Sequence, residues 1–307
     1  MIRVFIDGSA GTTGLRIRER LARRKDIELT ALTEERRKDP TARAEALNTA
    51  AVSFLCLPDV AAEEAVSFVT SADAVIIDTS TAHRTAEGWT YGMPELKGQR
   101  QKLKTAKRIA NPGCHATGFI SLVAPLTEAG LIKADARLSC FSLTGYSGGG
   151  KKMIAEYEAA DRDALYQAPR QYGLGQAHKH LPEMAKMCGL RHAPVFCPVV
   201  APYYAGMEVT VPLTPAETSA SPEDIREVYR ACYRDGLIRF ADAPDESGFL
   251  SAGAFAGRDS LEVSVFGNGE RILLVSRFDN LGKGASGAAR QNMNIALGLD
   301  EAEGLVL

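Results

Sequence analysis

One cysteine stands in a sequence context that favours chemistry over packing. Cys114 follows an Asn-Pro-Gly sequence at residues 111–113 and precedes an apolar pattern that predicts a helix from about Thr117 to Glu128. The Pro-Gly turn places the thiol at or near a helix start, where the positive helix end lowers a thiol pKa and backbone N–H groups can stabilise an oxyanion. The pattern indicates a nucleophile, with an ordinary structural cysteine as the alternative.

Two histidines are the candidate proton-transfer partners of this cysteine. His178 and His180 belong to a His-Lys-His-Leu-Pro-Glu segment that ends at Glu183, a carboxylate that can orient an imidazole. A cysteine nucleophile needs such a partner, and histidine transfers protons near neutral pH. The residues do not decide between the two histidines, so both join Cys114 as catalytic candidates. Two histidines and one cysteine lack a zinc-ligand spacing, so no metal is predicted.

A glycine-rich loop follows the first predicted strand. Gly8, Gly11 and Gly14 form a GxxGxxG sequence between an apolar strand pattern and a helix pattern. Glycines let the backbone turn tightly and approach a pyrophosphate, and the helix N-terminus offers N–H groups to phosphates. Thr12 and Thr13 can add hydroxyl donors. The context predicts a dinucleotide site, with a ligand-free glycine turn as the alternative.

The end of the second predicted strand carries the residues that usually select the dinucleotide. Thr33 is followed by two glutamates and then by three cations at residues 36–38, which begin with Arg36. A cation there accepts the 2′-phosphate of NADP, whereas an acidic residue holds the ribose hydroxyl of NAD. We therefore predict NADP, with a solvated charged loop as the alternative.

A second glycine run offers a site for a substrate anion. Ser147 and three glycines precede Lys151 and Lys152, which is the order of an anion-binding nest that ends in cations. The run could equally form a flexible turn with solvated lysines. Ser147, Lys151 and Glu183 are the candidate substrate-binding residues.

The composition limits the class of protein. The 307 residues carry 36 Lys and Arg against 38 Asp and Glu, a formal net charge of −2, so no nucleic-acid partner is expected. Arg3 and Asp7 interrupt the first apolar stretch, and no run of about 18 apolar residues predicts a membrane helix or a membrane partner. The other cysteines are scattered in packing contexts without a CxxC pair (Cys56, Cys140, Cys188, Cys197, Cys232). We expect a cytoplasmic protein of about two domains.

The alternation of strand and helix patterns predicts an α/β architecture. In the first third, strands are expected at 2–6, 27–32, 51–57 and 75–78, and helices at 15–24 and 60–69. This order indicates βαβ units and a parallel sheet. Later in the chain, we expect a strand at 137–146, a helix that starts at Ser221-Pro222, a hairpin of strands 261–265 and 272–278, and a last helix at 285–297. The hairpin indicates a mixed or antiparallel sheet.

Together these motifs resemble the short form of the N-acetyl-gamma-glutamyl-phosphate reductase family along essentially the whole chain. The resemblance rests on residues 5–8 with 11–15, 78–84, 91–96, 111–117, 144–152, 178–183, and 280–284 with 291–294. It implies NADPH-dependent reduction of the small acyl phosphate N-acetyl-gamma-glutamyl phosphate to N-acetyl-L-glutamate 5-semialdehyde and phosphate, in arginine biosynthesis. Cys114 matches the family nucleophile, which forms a thioester, and Asn280 joins the cofactor-binding residues.

The same resemblance implies a fold shared with aspartate-semialdehyde dehydrogenase. A Rossmann-type NADP-binding domain is expected at 1–113 plus 285–307, and an inserted α+β catalytic and oligomerisation domain with a mixed or antiparallel sheet at 114–284. A homo-oligomer, dimer or tetramer, is expected. Family members more often carry arginine where this chain has Lys151, and arginine forms a bidentate fork that lysine lacks, so the anion contact of Lys151 is left open.

Three other functions are compatible with parts of the sequence. A related acyl-phosphate reductase such as aspartate-semialdehyde dehydrogenase would use the same nucleophile on aspartyl phosphate. A cysteine acyl hydrolase would leave the glycine loop unexplained. A non-catalytic dinucleotide sensor would combine tight cofactor binding with an unreactive Cys114.

Overall fold

The computed structural model describes residues 1–244 and 246–307, and these divide into two compact units. The first unit comprises Met1–Pro112 and Ala285–Leu305, and the second comprises Gly113–Gly284 and Val306–Leu307. The boundaries therefore differ slightly from those expected, because Gly113 and the last two residues lie with the second unit. The Val306 N–H donates to the buried Asp259 carboxylate at 3.0 Å, which ties the chain end to that unit.

The first unit is built on a parallel sheet, as predicted. Its strands are β1 (Ile2–Asp7), β2 (Ile27–Thr30), β3 (Val52–Leu55), β4 (Val75–Asp78), β5 (Thr90–Tyr91) and β6 (Arg108–Ala110). They lie in the order β2-β1-β3-β4-β6-β5, and every pair is parallel. The first helices of the unit are α1 (Thr12–Leu21), α2 (Pro40–Thr49), α3 (Asp59–Ser67) and α4 (Gln99–Leu103).

Alternation along β1 shows that this sheet is covered on both faces. Val4 packs in one apolar cluster with Ile17 of α1, whereas its neighbour Phe5 packs in another with Leu47 of α2. Successive strand residues point to opposite faces, so helices cover both sides. This is why the strands read as continuous apolar runs rather than as alternating ones.

The second unit is built on a mixed sheet. Its helices are α5 (Cys114–Glu128), α6 (Gly150–Glu158), α7 (Leu181–Met187) and α8 (Pro222–Cys232). Its strands are β7 (Ser139–Gly145), β8 (Arg170–Gln171), β9 (Val195–Ala201), β10 (Met207–Leu213), β11 (Ile238–Phe240), β12 (Leu261–Gly267) and β13 (Ile272–Phe278). They lie in the order β11-β12-β13-β10-β7-β9-β8, with parallel pairs β7/β9 and β11/β12 and antiparallel pairs otherwise.

Helix α5 is the buried helix of the second unit. A Cβ on Gly118 would collide with Val209 of β10, so glycine allows the helix to approach the sheet closely. From α8, the Tyr229 hydroxyl donates to the Leu122 carbonyl at 2.6 Å. The helix is therefore held both by the sheet and by α8, which fixes the position of its first residue, Cys114.

The last helix, α9 (Gly287–Ala296), returns to the first unit and is buried although it is polar. Arg290 donates to the carbonyls of Ser286 and Gly304, and Asn292 donates to the Gly92 carbonyl at 2.9 Å. These bonds satisfy polar side chains that burial would otherwise destabilise. None of the helices in the described part of the chain has the length and hydropathy to span a bilayer.

Candidate active site

Cys114 is the first residue of α5. The preceding residue, Gly113, has extended backbone angles (φ −79°, ψ 148°) and supplies no side-chain cap to the first turn of the helix. The thiol is half-buried. The prediction that Cys114 stands at a helix start is confirmed, although the helix begins three residues earlier than the apolar pattern indicated.

The other cysteines lie in different surroundings. Burial raises the pKa of Cys56, at the end of β3, to about 12, and it raises the pKa values of Cys140 and Cys188 further. Cys197 is half-buried on β9, and Cys232 ends α8. A thiol with a raised pKa is mostly protonated at neutral pH and is a poor nucleophile.

The segment before α9 approaches Cys114 closely. A Cβ on Gly284 would lie 2.9 Å from the Cβ of Cys114, and the Gly284 N–H donates to the Asp279 carbonyl at 3.0 Å. A larger residue at position 284 would displace either the loop or the thiol. The sequence alone assigned no such role to this glycine.

Glu183 links the turn before Cys114 to a histidine. Its carboxylate is 1% exposed and accepts the N–H of Gly113 at 3.2 Å through Oε2, while Oε1 lies 4.0 Å from Nε2 of His180. Both carboxylate oxygens therefore face groups of this chain. The position of Glu183 next to His180 is compatible with its predicted role in orienting an imidazole. The same contacts give no direct support to its predicted role as a substrate ligand.

Three histidines cluster next to Cys114. The ring centroids of His115 lie 5.6 Å from His178 and 5.5 Å from His180, and His178 and His180 are 4.7 Å apart. Phe196 of β9 packs against His115 and His178 at 5.2 and 5.1 Å. His178 is half-buried and accepts the backbone N–H of His180 at Nδ1, 3.2 Å away, whereas His180 is 5% exposed.

His115 was not singled out by the sequence as a site residue. Its Nδ1 lies 2.7 Å from Ser142 Oγ of β7 and its Nε2 lies 2.6 Å from the hydroxyl of Tyr172. Burial, with the nearby charge of His178 as a lesser cause, lowers its pKa to about 3, so the ring is neutral at physiological pH. Its two hydrogen-bond partners lie 27 and 57 residues away in the sequence. The only local feature that could have marked His115 as a site residue was its position next to Cys114.

Ser147 and Asn280 are brought together in the second unit. The Asn280 amide donates to Ser147 Oγ at 2.9 Å and accepts the Gly206 N–H at 3.0 Å, and both side chains are buried. Lys151 and Lys152 are exposed in the first turn of α6. Asn280 thus lies outside the unit that holds the glycine loop, and its role toward a cofactor stays a prediction.

The glycine loop of the first unit fits a dinucleotide phosphate. Gly8 has φ +85°, and a Cβ there would collide with the Cys56 carbonyl oxygen; a Cβ on Gly14 would lie 2.6 Å from the Gly8 oxygen. Gly11 directly precedes α1 and supplies no side-chain cap. The buried Thr12 Oγ1 has no hydrogen-bond partner within residues 1–244 and 246–307. An uncapped helix start with a buried donor left over is what a phosphate group would satisfy.

The predicted 2′-phosphate residues lie on an exposed turn after β2. Thr33 and Arg36 are both exposed, and Arg36 lies 3.7 Å from the Glu45 carboxylate. Arg37 lies 2.6 Å from Glu34. Exposed ion pairs of this kind are weak, so the cations can exchange these carboxylates for a phosphate.

No cluster of three or more His, Cys, Asp or Glu residues in the described parts of the chain has the arrangement of a metal site.

Two family models match the chain in the order of its two units. Residues 3–106 match the semialdehyde dehydrogenase NAD binding domain, and residues 114–280 match the semialdehyde dehydrogenase dimerisation domain.

Curated relatives match nearly full length. The chain is 45% identical to N-acetyl-gamma-glutamyl-phosphate reductase 2 of a Nostoc species, covering 99% of each chain. It is 43% identical to the N-acetyl-gamma-glutamyl-phosphate reductase of Mesorhizobium japonicum, covering 97% of this chain and 99% of that one. The reductase of Burkholderia ambifaria is 42% identical, with 97% of each chain covered.

Solved structures share the fold at low identity. Aspartate semialdehyde dehydrogenase II from Vibrio cholerae superposes with a TM-score of 0.71 at 16% identity, covering 97% of this chain and 98% of that one. The Candida albicans aspartate semialdehyde dehydrogenase with NADP has a TM-score of 0.67 at 16% identity, covering 96% and 99%. These likenesses establish the two-unit architecture, whereas the near-full-length identities above 40% distinguish among enzymes that share it. By these identities, the chain belongs to the N-acetyl-gamma-glutamyl-phosphate reductase family of semialdehyde dehydrogenase-like oxidoreductases.

Proposed function

We propose that this oxidoreductase reduces N-acetyl-gamma-glutamyl phosphate to N-acetyl-L-glutamate 5-semialdehyde and phosphate with NADPH, as a step of arginine biosynthesis. The observation that carries the proposal is the half-buried thiol of Cys114 at the uncapped start of α5, beside His180 and Glu183. The names of the full-length relatives supply the substrate.

The reaction begins at the Cys114 sulfur. The positive end of α5 favours the thiolate, which attacks the acyl carbonyl carbon of the substrate. The N–H groups at the start of the helix would stabilise the oxyanion that forms on the carbonyl oxygen. Phosphate then leaves with the bonding electrons, and the acyl group remains on sulfur as a thioester.

His180 is the proposed acid/base. The Glu183 carboxylate, 4.0 Å from its ring, stabilises the protonated imidazole. His178 is less suited, because its Nδ1 already accepts the His180 N–H at 3.2 Å and protonation of that atom would break the bond. His180 protonates the oxygen of the reduced acyl group and takes that proton back as the C–S bond breaks, which releases aldehyde and thiolate.

The first unit is the proposed NADP-binding domain. Gly8, Gly11, Thr12, Thr13 and Gly14 would hold the pyrophosphate at the start of α1. The exposed Thr33 and Arg36 after β2 would hold the 2′-phosphate. A bound nicotinamide supplies the hydride that reduces the acyl carbon.

The second unit is the proposed catalytic and oligomerisation domain. Ser147 and Lys151 would contact the substrate anion. The Ser147 hydroxyl is held in place by a hydrogen bond from Asn280, and Lys151 lies at the exposed start of α6. The match of residues 114–280 to a dimerisation-domain model supports a homo-oligomer. The proposed form is a dimer or tetramer in the cytoplasm.

Replacing the nucleophile tests the proposal directly. Cys114→Ser should lower phosphate-dependent reduction of NADP with N-acetylglutamate semialdehyde by at least about 10³-fold, because a serine hydroxyl is hardly ionised at neutral pH. NADPH binding, measured by fluorescence titration, should change less than about twofold, because the glycine loop is untouched. Cys232→Ser at the exposed end of α8 is the matched control and should retain activity. Near-normal turnover by Cys114→Ser would refute the covalent mechanism.

An assay with two substrates distinguishes the proposed function from that of a related reductase that acts on aspartyl phosphate. The wild-type protein should oxidise N-acetylglutamate semialdehyde with phosphate and NADP at a kcat/KM at least about 100-fold above that for aspartate semialdehyde, because only one substrate fits the site fully. NAD should be a poorer cofactor than NADP in the same assay. The reverse preference for the aldehyde would assign the chain to aspartyl phosphate instead.

A further inference from the structure

A histidine of the first unit, His83, is held by a buried carboxylate and is not used in the mechanism above. It lies in the turn after β4, five residues beyond Asp78, which ends that strand. Its Nδ1 lies 2.7 Å from Oδ2 of Asp78, which is 0% exposed, and its ring stacks on Trp89 with 3.9 Å between the ring centroids. Two contacts of different kinds therefore fix the imidazole.

The hydrogen bonds of Asp78 determine which ring nitrogen of His83 carries the hydrogen. Oδ1 accepts the N–H of Ser80 at 2.9 Å, and Oδ2 accepts the Ser80 hydroxyl at 2.7 Å. Both oxygens therefore act as acceptors, and a carboxylate has no hydrogen to donate. Nδ1 of His83 must then be the donor in its bond with Asp78. In the neutral imidazole this leaves a lone pair on Nε2, which can accept a hydrogen bond.

Nε2 of His83 makes no hydrogen bond with residues 1–244 or 246–307, and the side chain is 12% exposed. The turn that carries it is also tied to α3, because the Asp59 carboxylate accepts the Thr81 N–H at 2.8 Å and the Thr81 hydroxyl at 2.5 Å. An ordered acceptor thus lies just beyond the carboxyl end of a parallel strand, where sheets of this kind bind their ligands.

The register of the sheet relates this turn to the glycine loop. Asp7 of β1 pairs with Leu55 of β3, and Leu55 pairs with Asp78 of β4. The three residues form one row along the carboxyl edge of the sheet, and a strand spacing of about 4.8 Å puts Asp78 about 10 Å from Asp7. Gly8, the first glycine of the loop, directly follows Asp7. His83 is therefore two strands away from the proposed pyrophosphate site.

The strand order assigns one half of the dinucleotide to this position. The proposed 2′-phosphate residues follow β2, which lies on one side of β1, whereas β3 and β4 lie on the other side. With the pyrophosphate at the start of α1, the adenosine half extends toward β2 and the nicotinamide half extends toward β4. The pyrophosphate offers only acceptors at neutral pH, so it does not suit a nitrogen that accepts. The first donors beyond it are the hydroxyls of the nicotinamide ribose.

We propose that Nε2 of His83 accepts a hydrogen bond from a ribose hydroxyl in the nicotinamide half of the bound dinucleotide. Asp78 and Trp89 are positioning residues that hold the ring for this contact. No covalent bond changes; the contact orients the ribose and with it the nicotinamide ring. The inference rests on the proposed binding of NADPH at the glycine loop and not on the identity of the acyl phosphate.

Calorimetric titration with two ligands tests the inference without turnover. His83→Phe removes the ring nitrogens but keeps a ring that can stack on Trp89. Its Kd for NADPH should be about tenfold higher than that of the wild type, because one hydrogen bond is lost. Adenosine 2′,5′-bisphosphate contains the adenosine half with its 2′-phosphate but no nicotinamide ribose, so its Kd should be unchanged.

A matched control variant tests the turn itself. Thr81→Val removes a hydrogen bond that ties the same turn to Asp59, but it leaves His83 in place, so it should bind both ligands as the wild type does. Trp89 is the one tryptophan of the sequence. Its emission maximum should be the same in wild type, His83→Phe and Thr81→Val, which verifies that its surroundings are preserved.

Two amide variants separate the acceptor from the bulk of the ring. His83→Gln is long enough to place an amide oxygen near the position of Nε2, whereas His83→Asn reaches only the position of Nδ1. His83→Gln should therefore bind NADPH about threefold or more tightly than His83→Asn. Equal affinities in these two variants would contradict an acceptor at the Nε2 position.

The 3-acetylpyridine analogue of NADP distinguishes the ribose from the carboxamide. It lacks the amide N–H of the nicotinamide but keeps both ribose hydroxyls. His83→Phe should weaken binding of the analogue as much as it weakens binding of NADP itself. A defect that is seen with NADP and disappears with the analogue would assign the contact to the carboxamide and overturn the ribose assignment.

The remaining outcomes separate this inference from the proposed function. An unchanged Kd for NADPH in His83→Phe would overturn the inference. Equal weakening of NADPH and adenosine 2′,5′-bisphosphate would also overturn it, because the ring would then act only on the structure of the unit. If the affinities change as expected but N-acetylglutamate semialdehyde is not a substrate, the proposed function fails and the inference stands.

Discussion

At the scale of single residues, Glu183 connects the backbone before the proposed nucleophile, Cys114, to the proposed acid/base, His180. One carboxylate oxygen accepts the N–H of Gly113, the residue before α5, and the other faces His180 at 4.0 Å. Such a residue can hold the imidazole at a fixed place relative to the sulfur and can stabilise its cation. The spacing of the HxHxPE segment indicated this pairing, because residues three apart at a helix start lie on one side.

Substitutions at His180 and His178 should show which of the two histidines is the acid/base. His180→Asn should lower kcat about 10²-fold or more, the usual contribution of a general acid or base, while His178→Asn should lower it less. Glu183→Gln keeps an acceptor for the Gly113 N–H but removes the charge beside His180, so it should reproduce much of the His180→Asn loss. Steady-state kinetics of the three variants make the comparison. A larger loss in His178→Asn would transfer the acid/base role to that residue.

At the scale of elements, the start of α1 resembles the start of α5, because both begin after a glycine that supplies no side-chain cap. Each therefore presents the N–H groups of its first turn, and the two ends serve two different anions in the proposed reaction. The first meets the cofactor phosphates, and the second meets the oxyanion. The difference lies in the next residue, which is Thr12 in α1 and Cys114 in α5.

Thr12→Val should change stability and cofactor binding in opposite directions. The buried Thr12 hydroxyl has no partner among the described residues, so replacing it with a methyl group should stabilise the cofactor-free protein by about 1 kcal/mol. The same change removes a donor to the pyrophosphate, so the Kd for NADPH should rise about tenfold. Thermal unfolding without cofactor and fluorescence titration measure the two effects. Destabilisation of the cofactor-free protein would contradict an unsatisfied hydroxyl.

Elements with strong local signals could be predicted from the sequence, and those defined by tertiary packing could not. The hairpin of β12 and β13 and the Ser221 cap of α8 were predicted, because a turn and a capping box are encoded in neighbouring residues. Helix α5 starts three residues before its apolar pattern, because the first turn is fixed by the Gly113 backbone and by Glu183.

Four helices were missed for related reasons. Helices α2, α4, α6 and α7 were not expected, although Asp39 and Pro40 give α2 a readable start, with the Asp39 carboxylate accepting the Thr41 N–H. Helix α6 begins at a glycine, α4 is only five residues long and α7 only seven, so none of these three has a strong signal of its own. The hydrogen-bond partners of His115 could not be predicted from the sequence for a different reason. They come from separate elements of the second unit that only the fold brings together.

At the scale of the whole molecule, the change from first to second unit falls within the Asn111–Cys114 motif. Asn111 is bound to its own unit on several sides. Arg84 donates to its carbonyl at 3.0 Å, Asn292 of α9 donates to its Oδ1 at 3.1 Å, and its own amide donates to the Ala285 carbonyl at 3.1 Å. This explains why the last helix belongs to the first unit, since residues from both ends of that unit are needed to hold Asn111.

Burial of His115 makes the stability of the folded molecule depend on pH. The pKa of His115 falls from about 6.5 to about 3 on folding, so below pH 6.5 the unfolded chain binds a proton that the folded chain does not. The stabilising contribution is therefore complete above pH 6.5 and is lost as the pH falls toward 3, by about 1.4 kcal/mol per unit. Between pH 8 and pH 5 the free energy of unfolding of the wild-type protein should fall by about 2 kcal/mol more than that of His115→Gln. Urea unfolding followed by circular dichroism at both pH values gives the two differences, and the comparison cancels any packing loss in the variant that is the same at both pH values. Equal losses in the two proteins would mean that folding does not lower the pKa of His115, and the neutral folded-state ring argued above would be wrong.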